Sequence, residues 1–123
     1  MNIINKIGLG FYVLCISASV YAFNTDFLKY SSVYYFTDQD WKIMQMSADA
    51  ALNGAKDGTK VKWQNRQSGA FGYLIPSKTQ KNQGMTCRYL SMITTANHVS
   101  SNSTYYFCKV NNEWKIYPSP GSY

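Results

Sequence analysis

Residues 85–110 read MTCRYLSMITTANHVSSNSTYYFCKV, a stretch that is typical of two antiparallel strands joined by a short polar turn. Its two cysteines, Cys87 and Cys108, are equally far from the junction between Asn97 and His98. A hairpin that turns at this junction places the cysteines opposite each other on adjacent antiparallel strands. Directly opposed residues of a non-hydrogen-bonded pair have α-carbons about 4.5 Å apart, which is close enough for a disulfide. The stretch therefore predicts a hairpin with a Cys87–Cys108 bridge, whereas a redox or catalytic thiol would need a C-x-x-C neighbour that is lacking here.

The segments around this hairpin extend it into a sheet. Val61 and Trp63 alternate with polar side chains, which is typical of a half-buried strand with one face in solvent. Pro76 should halt the next strand and leave the polar residues 77–84 as a mobile loop. The five predicted strands are 59–64, 70–75, 85–96, 104–110 and 113–117.

One helix precedes the strands, at residues 37–54. Thr37 can cap its first turn, and Asp40 is the capping-box acid three residues later. Apolar side chains at three- and four-residue spacing form one stripe, made of Trp41, Met44, Ala48, Ala51 and Leu52. The expected fold class is therefore α+β, with one N-terminal helix packed on a four- to five-stranded antiparallel β-meander that carries one disulfide.

The first residues predict export from the cytoplasm. Lys6 precedes an uncharged apolar run at 7–22, which is shorter than the roughly 20 residues that span a bilayer as a helix. A positive start, an apolar run and small final residues are typical of a secretory signal peptide, cut here between Ala22 and Phe23. An uncleaved membrane anchor and a buried core segment are the alternatives.

Cys15 lies inside this segment, so lipid modification is a further alternative. A lipoprotein signal has a small residue before the cysteine and usually a Leu three positions before it, where this chain has Leu14 and Tyr12. Removal of the signal would leave Cys87 and Cys108 as a pair, which fits an oxidising compartment.

The length of 123 residues leaves room for one small domain. We divide the chain into a signal peptide at 1–22, an aromatic leader at 23–36 that packs loosely or stays mobile, the α+β domain at 37–117, and a disordered tail at 118–123.

The composition argues against catalysis and metal binding. With 1 His and 6 acidic residues, few side chains titrate near neutrality, and the ligands for a Cys/His metal site are too few. His98 lies in a polar hairpin tip, where no motif organises a Ser-His-Asp triad. We therefore expect a protein that is not an enzyme and that binds no metal or cofactor.

Basic residues outnumber acidic ones, and the net charge is +6. A basic cluster near aromatic residues, formed by Lys60, Lys62, Arg66, Lys78 and Lys81, is a candidate surface for anionic ligands. In an exported protein these would be lipid headgroups, lipopolysaccharide or acidic glycans, with another envelope protein as a further candidate partner and nucleic acid disfavoured. The alternative is a solvated lysine face without a ligand.

Three short motifs follow one another along the domain. Residues 63–69 contain W-x-N-x-x-S-G, residues 84–88 contain G-x-x-C-R, and residues 108–114 contain C-x-x-x-N-x-W. In this order they resemble the C-terminal domain of the rickettsial-type 17 kDa surface antigen family of bacterial envelope proteins. The motif residues are Trp63, Asn65, Ser68, Gly69, Gly84, Cys87, Arg88, Cys108 and Trp114.

The resemblance implies a location in the cell envelope and no established reaction. Typical members of the family carry a lipid-modified cysteine and a glycine-zipper segment, but Cys15 lacks the lipoprotein context and residues 23–36 contain no glycine. We therefore expect a small exported protein in the periplasm, at the outer membrane or cell surface, or secreted. Its expected role is structural or binding, and the alternative is a secreted ligand- or partner-binding module, adhesin- or inhibitor-like, that uses a basic, aromatic surface. Association with a membrane is a further alternative, although we expect no transmembrane helix in the mature chain.

Overall fold

The computed structural model describes residues 31–121, which form one helix and a five-stranded sheet. A 3₁₀ turn at Ser32–Tyr35 precedes the α-helix. The elements are α1 (Asp38–Gly54), β1 (Val61–Gln64), β2 (Phe71–Asn82), β3 (Met85–Ala96), β4 (Val99–Val110) and β5 (Glu113–Ile116). The sheet order is β1-β2-β3-β4-β5 and every pair is antiparallel, so the predicted α+β meander is confirmed.

The last three hairpins all turn through two residues with positive φ. Asn97 and His98 have φ of 51° and 63°, and the pairs Gln83-Gly84 and Asn111-Asn112 have φ between 51° and 81°. Two-residue turns of this hand match the twist of antiparallel strands. Because the Asn97-His98 turn is so tight, β4 begins at Val99, five residues before its predicted start, and Cys87 pairs with Cys108 as predicted.

The prediction that β2 would stop at Pro76 was wrong. The strand continues to Asn82, with one irregularity between Ser77 and Gln80, so the predicted 77–84 loop is mostly strand. The carbonyl oxygen of Pro76 accepts a hydrogen bond from the amide of Gly58, on the side of β2 where β1 has already ended. The missing N–H of proline would point to that same side, so the ladder with β3 loses no hydrogen bond.

Side chains alternate between the two faces of the sheet, and each face has its own buried cluster. The helix face packs against α1 and contains Trp63, Leu74 and Leu90. The opposite face, here called the outer face, contains Tyr106 and the disulfide between β3 and β4. The helix and the disulfide therefore stabilise opposite sides of the sheet.

Residues 31–36, the described part of the predicted leader, pack on the domain. Ser32 is buried, and its hydroxyl forms a 2.5 Å hydrogen bond with the hydroxyl of Ser101 on β4. Phe36 contacts the edges of Trp41 and Trp63, with ring centroids 5.1 and 5.5 Å apart. These contacts fix the chain just before α1, where the sequence had suggested loose packing.

The predicted signal peptide, its cleavage site at Ala22 and Phe23, and Cys15 lie outside the described residues, as do residues 122 and 123 of the predicted tail. Between residues 31 and 121, no helix is both long and apolar enough to span a membrane.

Candidate functional site

The first cluster of motif residues surrounds Asp40 at the start of α1. Asp40 is only 1% exposed. Its Oδ1 accepts hydrogen bonds from Nδ2 of Asn65 at 2.7 Å and from Oγ of Ser68 at 2.6 Å, while its Oδ2 accepts from the amide of Thr37 at 2.8 Å. The amide of Asp40 in turn donates to Oγ1 of Thr37, which completes the predicted capping box. One carboxylate thus joins the helix start to the turn between β1 and β2.

Burial raises the pKa of Asp40, but hydrogen bonds from Ser68, from the Thr37 backbone and from Asn65 act in the opposite direction and prevail. The pKa of this carboxyl group therefore lies below its usual value of 3.8. The group is held as a charged structural acceptor at neutral pH.

The turn that supplies Asn65 and Ser68 is fixed by its own hydrogen bonds. Oδ1 of Asn65 accepts from the amide of Gln67 at 3.1 Å, and Oγ of Ser68 accepts from the amide of Ala70 at 3.1 Å. Gly69 has φ of +84°, a conformation that residues with a side chain rarely adopt. The N-x-x-S-G part of the first motif thus builds a rigid turn that presents two donors to Asp40.

The second cluster surrounds Arg88 of β3, at the other end of α1. Arg88 is 6% exposed, and its Nη1 donates to the carbonyl oxygens of Ala51 at 3.1 Å and of Leu52 at 2.8 Å. Its Nη2 donates to the carbonyl oxygen of Ala55 at 2.6 Å. The last carbonyl oxygens of a helix have no hydrogen-bond donor within the helix and carry partial negative charge. A buried guanidinium at this end supplies both hydrogen bonds and positive charge.

The remaining donors of Arg88 meet Asp57 and Thr79. Nη2 donates to Oδ1 of Asp57 at 2.8 Å, and Nε donates to Oγ1 of Thr79 at 2.8 Å. The hydroxyl of Thr79 in turn donates a hydrogen bond to Oδ1 of Asp57 at 2.7 Å. All five N–H groups of the guanidinium therefore have an acceptor. The hydrogen bond from Arg88 is the main reason why the pKa of Asp57 falls from 3.8 to about 2.

Two motif tryptophans contact different parts of the fold. Trp63 is buried in the core, and Gly72 of β2 lies directly beneath its indole. A β-carbon at Gly72 would lie 2.5 Å from the carbonyl oxygen of Ile93 and 2.8 Å from Nε1 of Trp63. Trp114 on β5 is half-buried, and its Nε1 donates to Oδ1 of Asn53 in α1 at 2.9 Å.

The predicted disulfide is confirmed. Cys87 and Cys108 are both fully buried, with α-carbons 4.0 Å apart, and they pack against Tyr106 on the outer face. Gly84, which begins the second motif, has φ of +81° in the turn that precedes β3. The motif cysteines and this glycine thus shape the two hairpins around β3.

The structure places three of the five candidate anion-binding residues on the outer face, each beside an aromatic ring. The ammonium nitrogens of Lys60, Lys62 and Lys78 lie 5.9, 5.9 and 5.6 Å from the ring centroids of Tyr73, Phe71 and Tyr89, respectively. These distances are those of cation–π contacts.

Of the other two basic candidates, Arg66 lies beside Lys62 and Phe71, whereas Lys81 lies on the other face. Arg66 is in the turn after β1, where it lines a shallow cavity of about 250 Å³ together with Lys62 and Phe71. Lys81 pairs with Thr86 near the end of the β2–β3 hairpin, and its Nζ donates to the hydroxyl of that residue at 2.8 Å. In the strand alternation Lys81 belongs to the helix face, so the predicted cluster is divided.

His98 is exposed in the turn between β3 and β4, at φ of +63°. Within residues 31–121 no three His, Cys, Asp or Glu side chains are grouped in a way that could hold a metal ion.

A groove on the helix face was missed by the sequence reasoning. It lies between α1 and the β4–β5 side of the sheet, has a volume of about 460 Å³, and is lined by Trp41, Tyr105 and Ile116 among others. Trp41, predicted as part of the apolar stripe, is 39% exposed at this groove. Tyr105 and Phe107 are two residues apart on β4, which indicates that their side chains lie on the same face of the sheet. The sequence does not indicate how many of the five strands α1 covers.

A 52-residue segment of the chain matches the 17 kDa surface antigens of several Rickettsia species. The identity is 38% with the protein of Rickettsia amblyommatis and 36% with that of Rickettsia rhipicephali, and each match covers 42% of this chain and 34% of the relative. With the protein of Rickettsia prowazekii (strain Madrid E) the identity is 35%, over 42% of this chain and 33% of the relative. The chain thus spans about a third of the length of the curated relatives it matches.

No protein-family model and no solved structure matches the chain. The resemblance predicted from the three motifs is nevertheless confirmed at the level of a segment. Over 52 residues, the chain is a homologue of the rickettsial 17 kDa surface antigens.

Proposed function

We propose that this protein is a small exported protein of the bacterial cell envelope, surface-exposed like the antigens it resembles, that acts structurally or by binding rather than by catalysis. The observation that carries this proposal is the use of the motif side chains within the fold. Asn65 and Ser68 are engaged with Asp40, and all five N–H groups of Arg88 are engaged at the other end of α1.

This engagement supports a non-enzymatic role. A catalytic side chain needs a polar atom that can contact the substrate. The pKa values of catalytic acids and bases are usually shifted toward neutrality. The two carboxyl groups of these clusters, Asp40 and Asp57, have pKa values shifted in the opposite direction. The motif side chains instead fix α1 to the sheet.

Export is supported by the signal-like residues 1–22 and by the buried Cys87–Cys108 bridge, because disulfides persist in oxidising compartments. Mass spectrometry of the protein from its native host tests this directly. We expect an N-terminus at Phe23 and a mass lower by two hydrogens than that of the reduced chain. An acylated Cys15 would contradict the predicted cleavage between Ala22 and Phe23.

Surface exposure can be tested with proteinase K on intact cells, followed by immunoblotting of the protein. We expect digestion in intact cells while a periplasmic marker protein stays protected, and digestion of both after permeabilisation. Protection of the protein until permeabilisation, with recovery in the periplasmic fraction, would refute exposure at the surface.

The second candidate function is a secreted or surface-bound module that binds an anionic partner. The specific observation in its favour is the outer face, where Lys60, Lys62 and Lys78 each lie over an aromatic ring. A lysine face without a ligand would not require these rings on the same surface.

A further inference from the structure

We propose that the outer face binds an acidic polysaccharide, with sugar rings stacked on Phe71, Tyr73 and Tyr89 and with carboxylate or sulfate groups held by Lys60, Lys62 and Lys78. This inference rests on the second candidate function and names its class of ligand. It uses the face of the sheet opposite α1, which no helix within residues 31–121 covers.

The three aromatic rings form a row along β2. Phe71 and Tyr73 are two residues apart on that strand and point to the same face, and Tyr89 of β3 pairs with Ser77 further along. The row from Phe71 to Ser77 spans six residues, or roughly 20 Å of extended strand. A row of this kind fits an elongated ligand better than a small one.

The ring of Tyr89 is held in place by a neighbouring ring on β4. It packs against the ring of Tyr106, with centroids 4.8 Å apart, and Tyr106 is itself 2% exposed. The hydroxyl of Tyr106 accepts hydrogen bonds from the side-chain amides of Gln80 and Asn82, at 3.2 and 3.3 Å. This end of the row is therefore preorganised, which lowers the entropy lost on binding.

The lysines of the row carry charge without a counter-ion. Among residues 31–121, the ion pairs are Arg88–Asp57 and Lys115–Glu113, and neither includes Lys60, Lys62 or Lys78. Each of the three ammonium groups lies within 6 Å of a ring centroid, so one ligand group can meet a charge and an aromatic face together. A sugar acid offers this combination, since its C–H face is apolar and its carboxylate is negative.

The rest of the face favours a polysaccharide over a membrane. Hydroxyl pairs lie beside the row on β3 and β4, with Ser91 and Thr104 at 3.0 Å and Thr95 and Ser100 at 2.8 Å. Hydroxyls both donate and accept, as sugar hydroxyls do. Insertion into lipid needs several protruding apolar side chains, whereas Tyr73 and Tyr89 are half-buried and Phe71 alone of the three rings is exposed.

The experiment uses the mature, disulfide-bonded protein and measures binding by isothermal titration calorimetry. The probes are polygalacturonate, neutral dextran as the uncharged control, single-stranded DNA as a non-sugar polyanion, and vesicles of phosphatidylglycerol and phosphatidylcholine. We expect binding to polygalacturonate that exceeds binding to the other three probes.

Two variants and one matched control assign the binding to this face. Replacing Lys60, Lys62 and Lys78 by Ala should weaken polygalacturonate binding about tenfold or more. The control replaces Lys42, Lys56 and Lys81 by Ala, which removes the same charge from other surfaces and should change affinity by less than about twofold. Phe71→Ser keeps the lysines and should weaken binding roughly threefold or more by loss of stacking. Circular dichroism confirms that each variant is folded.

Equal losses in the two triple variants would overturn the proposal, because binding would then follow net charge alone. Unchanged binding by Phe71→Ser, equal binding to DNA, or binding to vesicles without binding to polygalacturonate would also overturn it. The protease test on intact cells is independent of all these outcomes, so failure here leaves the envelope proposal standing.

Discussion

Arg88 of β3 donates a hydrogen bond to the carbonyl oxygen of Leu52, 36 residues earlier in the chain, at 2.8 Å. A strand residue thereby completes the last turn of a helix. At the other end of α1, Asn65 donates a 2.7 Å hydrogen bond to the carboxylate of Asp40, the acid of the capping box. The motif residues therefore hold both ends of the helix against the sheet.

Arg88→Ala should destabilise the domain by roughly 2–4 kcal/mol, because the carbonyl oxygens of Leu52 and Ala55 lose a buried donor and a cavity remains. Urea unfolding followed by tryptophan fluorescence measures the change. Lys81→Ala, an exposed residue on the same hairpin, should cost less than about 0.5 kcal/mol. Equal effects of the two substitutions would show that the Arg88 contacts contribute nothing specific.

Asp40 and Asn65 should be energetically coupled. A double-mutant cycle with Asp40→Ala and Asn65→Ala should give a coupling free energy of about 0.5–3 kcal/mol, since each single change leaves the other partner buried without its hydrogen bond. Additive losses of unfolding free energy, within experimental error, would contradict the proposed link between helix and turn.

Stability should fall at acidic pH. The pKa of Asp57 is about 2 in the folded protein against 3.8 ordinarily, so its stabilisation is complete above pH 3.8 and is lost as the pH falls through about 2. The pKa of Asp40 is also lowered, which adds to the same trend. Urea midpoints between pH 6 and 2 should fall steeply for the wild type and less steeply for Asp57→Asn. Parallel curves would refute the assignment to Asp57.

The Cys87–Cys108 bridge closes a loop with a sequence separation of 21 residues. Its loss in the double variant Cys87→Ser/Cys108→Ser should cost roughly 3 kcal/mol, mainly because the unfolded chain gains freedom. Unfolding of the reduced wild type gives an independent value for the same loss. A variant as stable as the oxidised protein would be inconsistent with a structural role for the bridge.

Gly72 and Gly54 provide a matched pair of substitutions. Gly72→Ala places a methyl group 2.5 Å from the backbone oxygen of Ile93 and should cost about 2 kcal/mol or more, since the backbone cannot move aside freely. Gly54→Ala meets nothing within 4 Å and should be neutral or stabilise α1 by up to about 1 kcal/mol. Thermal unfolding of both variants tests this, and equal melting temperatures would contradict it.

The sequence predicted the features that depend on local spacing. The equal distances of the cysteines from Asn97 and His98 predicted the register of β3 and β4, and the Thr37–Asp40 spacing predicted the helix start. These features can be predicted from the sequence because the backbone fixes the two-residue period of a strand and the geometry of a helix cap.

The features that depend on contacts across the fold were not predicted. Pro76 within β2 is tolerated only because β1 ends before it, which a single strand does not reveal. The role of Arg88 requires knowing that the end of α1 lies over β3, and the division of the basic cluster requires knowing which face Lys81 occupies. Each outcome depends on how another element packs or pairs, which local spacing does not show.

The motif residues hold α1 on the sheet, so removal of Arg88 should release the end of this helix. Amide hydrogen exchange, measured by mass spectrometry on wild type and Arg88→Ala under native conditions, detects such a release. We expect the variant to lose protection first in residues 48–56, at the end of α1, while the disulfide-bonded β3–β4 hairpin keeps most of its protection. Unchanged protection in α1, or an equal loss in every segment, would show that Arg88 does not hold this end of the helix.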